Sequence, residues 1–235
     1  SMGMTALAIT DHGVMYGVID FYKKAKDKGI KPILGCEAYL ARGNMADRKL
    51  EDGSRSQSNH LVLLSATNEG YYNLVHLISK AHLEGFYYKP RIDKALLAAH
   101  AKGLIGTSAC LKGDIPEAIA KGELQNHGIA EQHVCNEGIL EVHRRTGLPL
   151  ICSNDVHYLK PEHYDAHDVM LCLQTGTTIN DPNRMRYQSD QFFMKSPQQM
   201  YELFREFPEA LKNTTLIAER CNVELKLGGK ELHFP

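Results

Sequence analysis

Several metal-ligating side chains stand directly behind short apolar runs. TALAIT (residues 5–10) leads into Asp11-His12-Gly13 and PILGC into Glu37. GLIGTSA leads into Cys110, and LPLICS into Asn154-Asp155-Val156-His157. Imidazole and carboxylate in one set suit divalent ions such as Zn, Mn or Fe. Asp155 and His157 are spaced by two, so on an extended segment they point the same way. Each residue also has a plainer reading. Asp-His-Gly after a strand can be a turn that caps the next helix. Glu37 can be a solvated strand residue, although its apolar neighbours disfavour this, because an unpaired buried carboxylate is costly. Cys110 alone can be a small buried hydrophobe. The combination on several segments outweighs any single member.

Other histidines favour structural roles. His76, His82, His100, His133 and His143 fall on helical patterns and read as solvated or interfacial. His163 and His167 form an i, i+4 pair without the intervening carboxylate of a HExxH motif. His60 precedes the run LVLLS instead of following it, so spacing does not place it with the others.

These positions need elements to hold them. Strands are predicted over residues 5–10, 32–40, 61–65, 103–109 and 148–153. Helices are predicted over residues 14–28, 68–82, 92–101, 115–121, 129–146, 197–204 and 209–221, with residues 43–59 as a polar loop. On residues 68–82 the apolar positions are Tyr72, Val75, Leu77 and Ile78. Strands alternating with helices imply a parallel sheet with helical crossovers, as a β/α barrel or an open doubly wound sheet. In such folds the C-terminal strand ends line the functional face. The first strand is followed by no GxGxxG, which counts against a dinucleotide fold.

Composition sets outer limits. The chain has 235 residues, a formal net charge of -1 and 23% charged residues. That balance is not the basic one of a free-standing nucleic-acid binder. The six cysteines form no CxxC pair, and there is no signal peptide or membrane-spanning run. They read as reduced thiols of a cytoplasmic protein. The opening Ser-Met reads as an expression-tag remnant, with one domain over residues 3–235.

The segments TALAITDHGVMYGVIDFYKKAK, GCEAYLA, HLVLLSATNEGYYNLVHLIS, ELQNHGIAEQ, NDVHYLKPEHYDAHDVMLCLQTG and DQFFMKSPQQMYELFREFPEALKNTTLIAERCNVEL resemble the PHP (polymerase and histidinol phosphatase) domain of bacterial DNA polymerase III alpha subunits. The resemblance covers nearly the whole chain. It implies a distorted, TIM-like (β/α)7 barrel, with up to three metals at the C-terminal mouth and nine ligands. Matched one at a time, it implies His12 from TDHG, Glu37 from GCEAY, His60 before LVLLS, Cys110, and the final pair Asp155 and His157. It thus adds His60, which spacing alone leaves aside. It also implies catalytic roles for Asp155, His157 and His12 in metal-dependent phosphoester hydrolysis, such as 3′–5′ exonucleolytic proofreading, with Asp155 bridging metals. The alternative it carries is a structural domain with a vestigial site. Implied partners are DNA, through the parent polymerase, and holoenzyme subunits such as a proofreading exonuclease or a sliding clamp, with no membrane.

Two departures from the family pattern shape the expectation. The family's HxH strand and a nearby acidic residue have no counterpart before TDHG, and Ala120-Lys121-Gly122 runs directly into Glu123-Leu124-Gln125 where the family has roughly twenty further residues. Either gap removes a β/α element, so an incomplete or rearranged barrel is expected, and because a site short of ligands holds metal weakly, partial metal occupancy is expected.

Overall fold

The computed structural model describes residues 2–49, 53, 56–109, 122–124 and 130–228. Cys110, His127 and the helix predicted over residues 115–121 lie outside the described residues. The chain forms two compact units. One comprises residues 5–106 and 217–235, and the other residues 1–4 and 107–216.

The first unit is built around one long strand. β1 (Ala6–Ile9) leads through a turn to α1 (Val18–Asp27), and then to β2 (Lys31–Ala41). From Pro32 onward every residue of β2 is buried, the pattern of a central strand covered on both faces. Glu37 is therefore a single charge inside an apolar run. β3 (Ser58–Ser65) follows, then α2 (Asn68–Leu83), β4 (Phe86–Tyr87), β5 (Lys89–Ile92), α3 (Lys94–Ala99) and β6 (Leu104–Thr107). The six-stranded sheet has the order β4-β5-β2-β3-β6, with β1 pairing to β2.

The sequence pattern implies parallel strands throughout, and here the structure differs. β2 and β3 pair antiparallel, with Glu37 opposite Val62 and Tyr39 opposite His60. No helix forms between them among the described residues, so nothing carries the chain back for a parallel return. β3 also begins at Ser58, because the length of β2 gives Ser58, Asn59 and His60 partners at Ala41, Leu40 and Tyr39. His60 therefore lies within a strand, not before one. Glu37 lies in the middle of β2, not at its end. The β1–β2 and β2–β5 pairs are parallel. The sheet is mixed, and among the described residues it does not close into a barrel.

The helices pack by their i, i+4, i+7 faces. α1 buries Val18, Tyr22 and Ala25. α2 buries Gly70, Leu74, Leu77, Ile78 and Ala81. The inward face of α2 is thus the 70–74–77–81 stripe. Tyr72 and Val75, which read as core positions in the sequence, face solvent. The N-cap of α2 is Thr67, whose hydroxyl accepts from the Gly70 amide at 3.1 Å. Residues 222–225 return to this unit. There the Asn222 amide donates to the Ala66 carbonyl, and Glu224 accepts from the Tyr22 hydroxyl at 3.0 Å.

The second unit holds β7 (Gly122–Leu124) and β8 (Leu150–Cys152), a parallel pair, with α4 (Ala130–Thr146) between them. A 3-10 turn (Pro161–His163) runs into α5 (Tyr164–Thr175). α6 (Pro197–Leu203) starts with a capping box in which Ser196 and Gln199 satisfy each other's backbone amides. α7 (Pro208–Arg220) begins in this unit, and its residues from Ile217 belong to the other. Ile139, Leu150, Cys152, Phe204 and Ala210 form one core cluster.

Candidate metal centre

Glu37 is only 5% exposed. Its carboxylate is met by two imidazoles. His60 Nδ1 lies 2.5 Å from Oε1, and His12 Nδ1 lies 3.3 Å from Oε2. One donor atom from each of His12, Glu37 and His60 lies within 4.8 Å of the others, and this is the one such group of three among the described residues. The elements explain the convergence. Side chains two apart on a strand share a face. The antiparallel register therefore sets Glu37, Tyr39, His60 and Val62 on one side of the β2–β3 pair.

His12 comes from the turn after β1. The Glu37 amide donates to the Asp11 carbonyl at 3.0 Å, and the Gly13 amide donates to the Glu37 carbonyl at 2.9 Å. His12 and Glu37 thereby form a parallel bridge beyond the end of β1. Gly13 is needed at that turn. Its φ is +67°, and a Cβ there would stand 2.8 Å from both Pro90 Cγ and Tyr39 Cε2. His82, from α2, fastens the same turn by donating from Nε2 to the Gly13 carbonyl at 2.9 Å. The sequence marks His82 only as a helical histidine, and no local signal announces its partner 69 residues away.

Tyr39 completes the surround. Its ring stacks on His12, with centroids 6.3 Å apart and planes 20° apart, and meets His60 edge-on at 5.2 Å. Two-residue spacing from Glu37 could have placed Tyr39 on the ligand face from sequence. Cys36 lies on the opposite side of β2 from these donors. Burial pushes its thiol up to about 12, so it stays protonated, and it donates to the Asp11 carbonyl.

The arrangement fits a divalent ion. Two imidazoles and a buried carboxylate on three different segments are the donor types such ions select. A lone carboxylate at this depth would be costly, and the facing imidazoles remove that cost whether by hydrogen bonds or through a shared cation.

Asp155 and His157 lie in the other unit. Asp155 has φ +44°, a left-handed conformation that is strained for a residue other than glycine. The neighbouring Asn154 donates to the Phe193 carbonyl at 2.7 Å, and the His157 amide donates to the Phe192 carbonyl at 2.9 Å. The NDVH segment is thus held against the DQFF segment. His157 Nδ1 lies 2.8 Å from the Asp155 carbonyl oxygen, which can only accept, so Nδ1 carries the proton. Nε2 then accepts from the Tyr187 hydroxyl at 2.8 Å. His167 and Phe192 pack edge-on to the same ring, at 5.7 and 5.8 Å. His167 is held below the usual imidazole range, first by burial and then by the neighbouring His157, with Asp168 opposing. Burial pushes the Cys152 thiol up to about 12.

The Tyr187 carbonyl accepts from the Tyr164 hydroxyl at 2.8 Å, and three residues before Tyr187 stands a clamp that the sequence did not reveal. Arg184 meets Asp168 of α5 in a two-pronged ion pair, at 2.5 and 2.6 Å, and its Nε donates to the Ile179 carbonyl. The guanidinium, first through its hydrogen bonds, holds the Asp168 carboxyl below the usual range. A depressed folded-state pKa contributes stability above the unfolded value, and that contribution is lost as pH falls through the folded value. Asp168→Asn is therefore expected to destabilise the protein near neutral pH. The gap from wild type should close below the ordinary carboxylate range. Denaturant titrations of both proteins across pH check this, and a gap that stays constant with pH would contradict the assignment.

No helix among the described residues is long and apolar enough to cross a membrane. Residues 1–145 match the family model described as the PHP domain. The chain is 43% identical over 241 residues to the DNA polymerase III subunit alpha of Borreliella burgdorferi, a match covering 93% of the chain and 21% of that protein. The protein of the same name from Thermus aquaticus is 41% identical over 253 residues, covering 97% of the chain and 21% of that protein. That of Treponema pallidum is 40% identical over 252 residues, covering 97% and 22%. The chain thus spans about a fifth of the length of the curated relatives it matches.

Proposed function

The chain belongs to the PHP domain family, and from that premise we propose that it is the metal-binding PHP domain of a replicative DNA polymerase III alpha subunit, with its own phosphoesterase site acting on the 3′ end of a DNA strand. The family's TIM-like barrel is the architecture in which this site would stand. The observation that carries the reading is the convergence of His12, Glu37 and His60 from the β1 turn, β2 and β3, with donor atoms within 4.8 Å. These three would hold divalent metal of the Zn, Mn or Fe class, and Cys110, Asp155 and His157 are proposed as further ligands. When bound, such an ion polarises a phosphate and lowers the pKa of a coordinated water.

The chain's own residues do the rest. Glu37 supplies the negative charge that a cation needs in an otherwise apolar strand. Tyr39 walls the two imidazoles and limits their rotation. His82 keeps the His12 turn in register with β2. The proposed partners are DNA and other subunits of a replicative holoenzyme, such as a separate exonuclease or a sliding clamp, in a cytoplasmic setting.

A second reading has an observation in its favour. Both ring nitrogens of His157 are engaged by atoms of the chain itself, at Asp155 and Tyr187. A histidine satisfied in this way suits a structural domain that supports a polymerase and retains only part of a metal site.

One experiment separates the two. The purified chain, stripped with EDTA and reloaded with Mn²⁺ or Zn²⁺, is analysed for bound metal and assayed on a 3′-labelled single-stranded oligonucleotide. The catalytic reading expects metal to be retained and label released, with release abolished by EDTA and reduced by Asp155→Asn. A chain that retains no metal, and whose rate is the same in the Asp155→Asn variant, would overturn it and leave the structural reading.

A further inference from the structure

Beside the metal centre lies a cleft of about 320 Å³ lined by Ser58, Tyr87, Tyr88, Lys89 and Arg91 among others. It shares the sheet face of the candidate ligands. Ser58 is two residues before His60 on β3, hence on the same face and about 7 Å along the strand. Arg91 is the parallel partner of Tyr39 on β2, and Lys89 is two residues before it. The Lys89 ammonium stands 5.2 Å from the Tyr39 ring centroid, and Tyr39 in turn contacts both His12 and His60. Cleft and centre are therefore joined through one aromatic ring.

The lining combines a fixed wall with exposed groups. Arg91 is 2% exposed and belongs to the wall. It donates to the Gly85 and Met45 carbonyls and to the Ser56 hydroxyl, and its guanidinium lies 5.2 Å from the Tyr87 ring centroid. Tyr87 packs edge-on to Tyr88 at 4.7 Å. Tyr88 is 66% exposed and has φ +58°. A bulky residue in that conformation stores backbone strain, of about 1–3 kcal/mol. Here the strain turns a large ring outward beside a lysine, where it adds little to the core. Such strain collects at ligand-contacting positions.

An outward aromatic face with an adjacent ammonium is the chemistry that binds single-stranded nucleic acid. A base stacks on the ring, and its phosphate meets the cation. We infer that this cleft is the strand subsite of the metal centre, with Tyr88 stacking a base of single-stranded DNA and Lys89 holding a phosphate near the His12–Glu37–His60 group. The inference rests on the phosphoesterase reading for its choice of DNA. It also explains how a chain with a net charge of -1 could hold a polyanion, through a local cation instead of bulk charge.

The test is binding of a fluorescein-labelled oligodeoxythymidylate in EDTA, followed by anisotropy over a salt series. Lys89→Gln should weaken binding and flatten the dependence of log K on log salt by about 0.7, the loss of one phosphate contact on a single strand. Tyr88→Asn suits a positive φ, so the fold is retained. It should weaken binding about tenfold with the slope unchanged, and Tyr88→Phe should bind as wild type. Wild-type affinity in both loss variants, an unchanged salt slope in Lys89→Gln, or no binding by the wild-type chain at low salt would overturn the subsite. Because no metal is present in the assay, its failure is distinct from failure of the phosphoesterase reading, which is judged by metal retention and label release.

Discussion

Glu37→Gln is expected to weaken divalent-metal binding at least about a hundredfold, beyond the ~10–100-fold that loss of a group merely supporting a ligand costs. Glu37 is the one carboxylate in the three-donor group, and both of its oxygens face imidazoles. Glutamine keeps the volume and can still exchange hydrogen bonds with His60 and His12, but it carries no charge to balance a cation. The variant therefore separates metal binding from folding. Its melting temperature in EDTA sets the baseline for folding, which includes the loss of the carboxylate's pairing with the two imidazoles. On addition of Mn²⁺ or Zn²⁺ the wild-type protein should gain stability, by about 2.7 kcal/mol when the free ion is at a hundred times its Kd, and the variant should gain little. Calorimetric titration and thermal melts with and without metal check this. Equal metal affinity in the two proteins would remove Glu37 from the site.

Gly70→Ala is expected to lower stability by about 3 kcal/mol or more without touching any candidate ligand. Gly70 lies in the first turn of α2, where a Cβ would stand 1.8 Å from the Gly103 carbonyl oxygen and 2.4 Å from its carbon. Both are backbone atoms and cannot swing aside. The carbonyl is also engaged, accepting from the Ala66 amide at 2.9 Å. Alanine is the better helix former by about 1 kcal/mol, which is too little to offset displacement of α2 from the turn that enters β6. For a protein of this size the loss corresponds to a fall in melting temperature of about 10 °C. A thermal melt within about 2 °C of wild type would show that the helix can retreat at little cost.

The two substitutions probe different parts of what the sequence disclosed. Glu37 was readable as a candidate ligand because a charge inside PILGCEAYL contradicts the run around it. The helices expected to begin at residues 68 and 197 do so, each with a local cap at Thr67 or Ser196, whereas the helix expected from residue 14 begins at Val18. Gly70 looked like an ordinary helical glycine, since its reason for being is a contact with a residue 33 positions away. The same holds for His82, for Tyr187 at His157, and for the Asp168–Arg184 clamp. Each is defined by its partner, and no local pattern names the partner.

Residue types and their short-range spacing therefore determined which side chains could bind metal, that β1 and β2 would be strands, and, through TDHG, GCEAY and NDVH, the family. Tertiary structure decided how the donors meet. His60 joins Glu37 because β3 pairs antiparallel to β2 in a register that sets them on the same face, diagonal neighbours two residues apart. His12 joins them because two backbone hydrogen bonds tie its turn to Glu37. Strand register is a long-range property, and a shift of one residue would turn every side chain of β3 to the opposite face. That is why the ligand types were legible along the chain, while the site itself exists only once the sheet has formed.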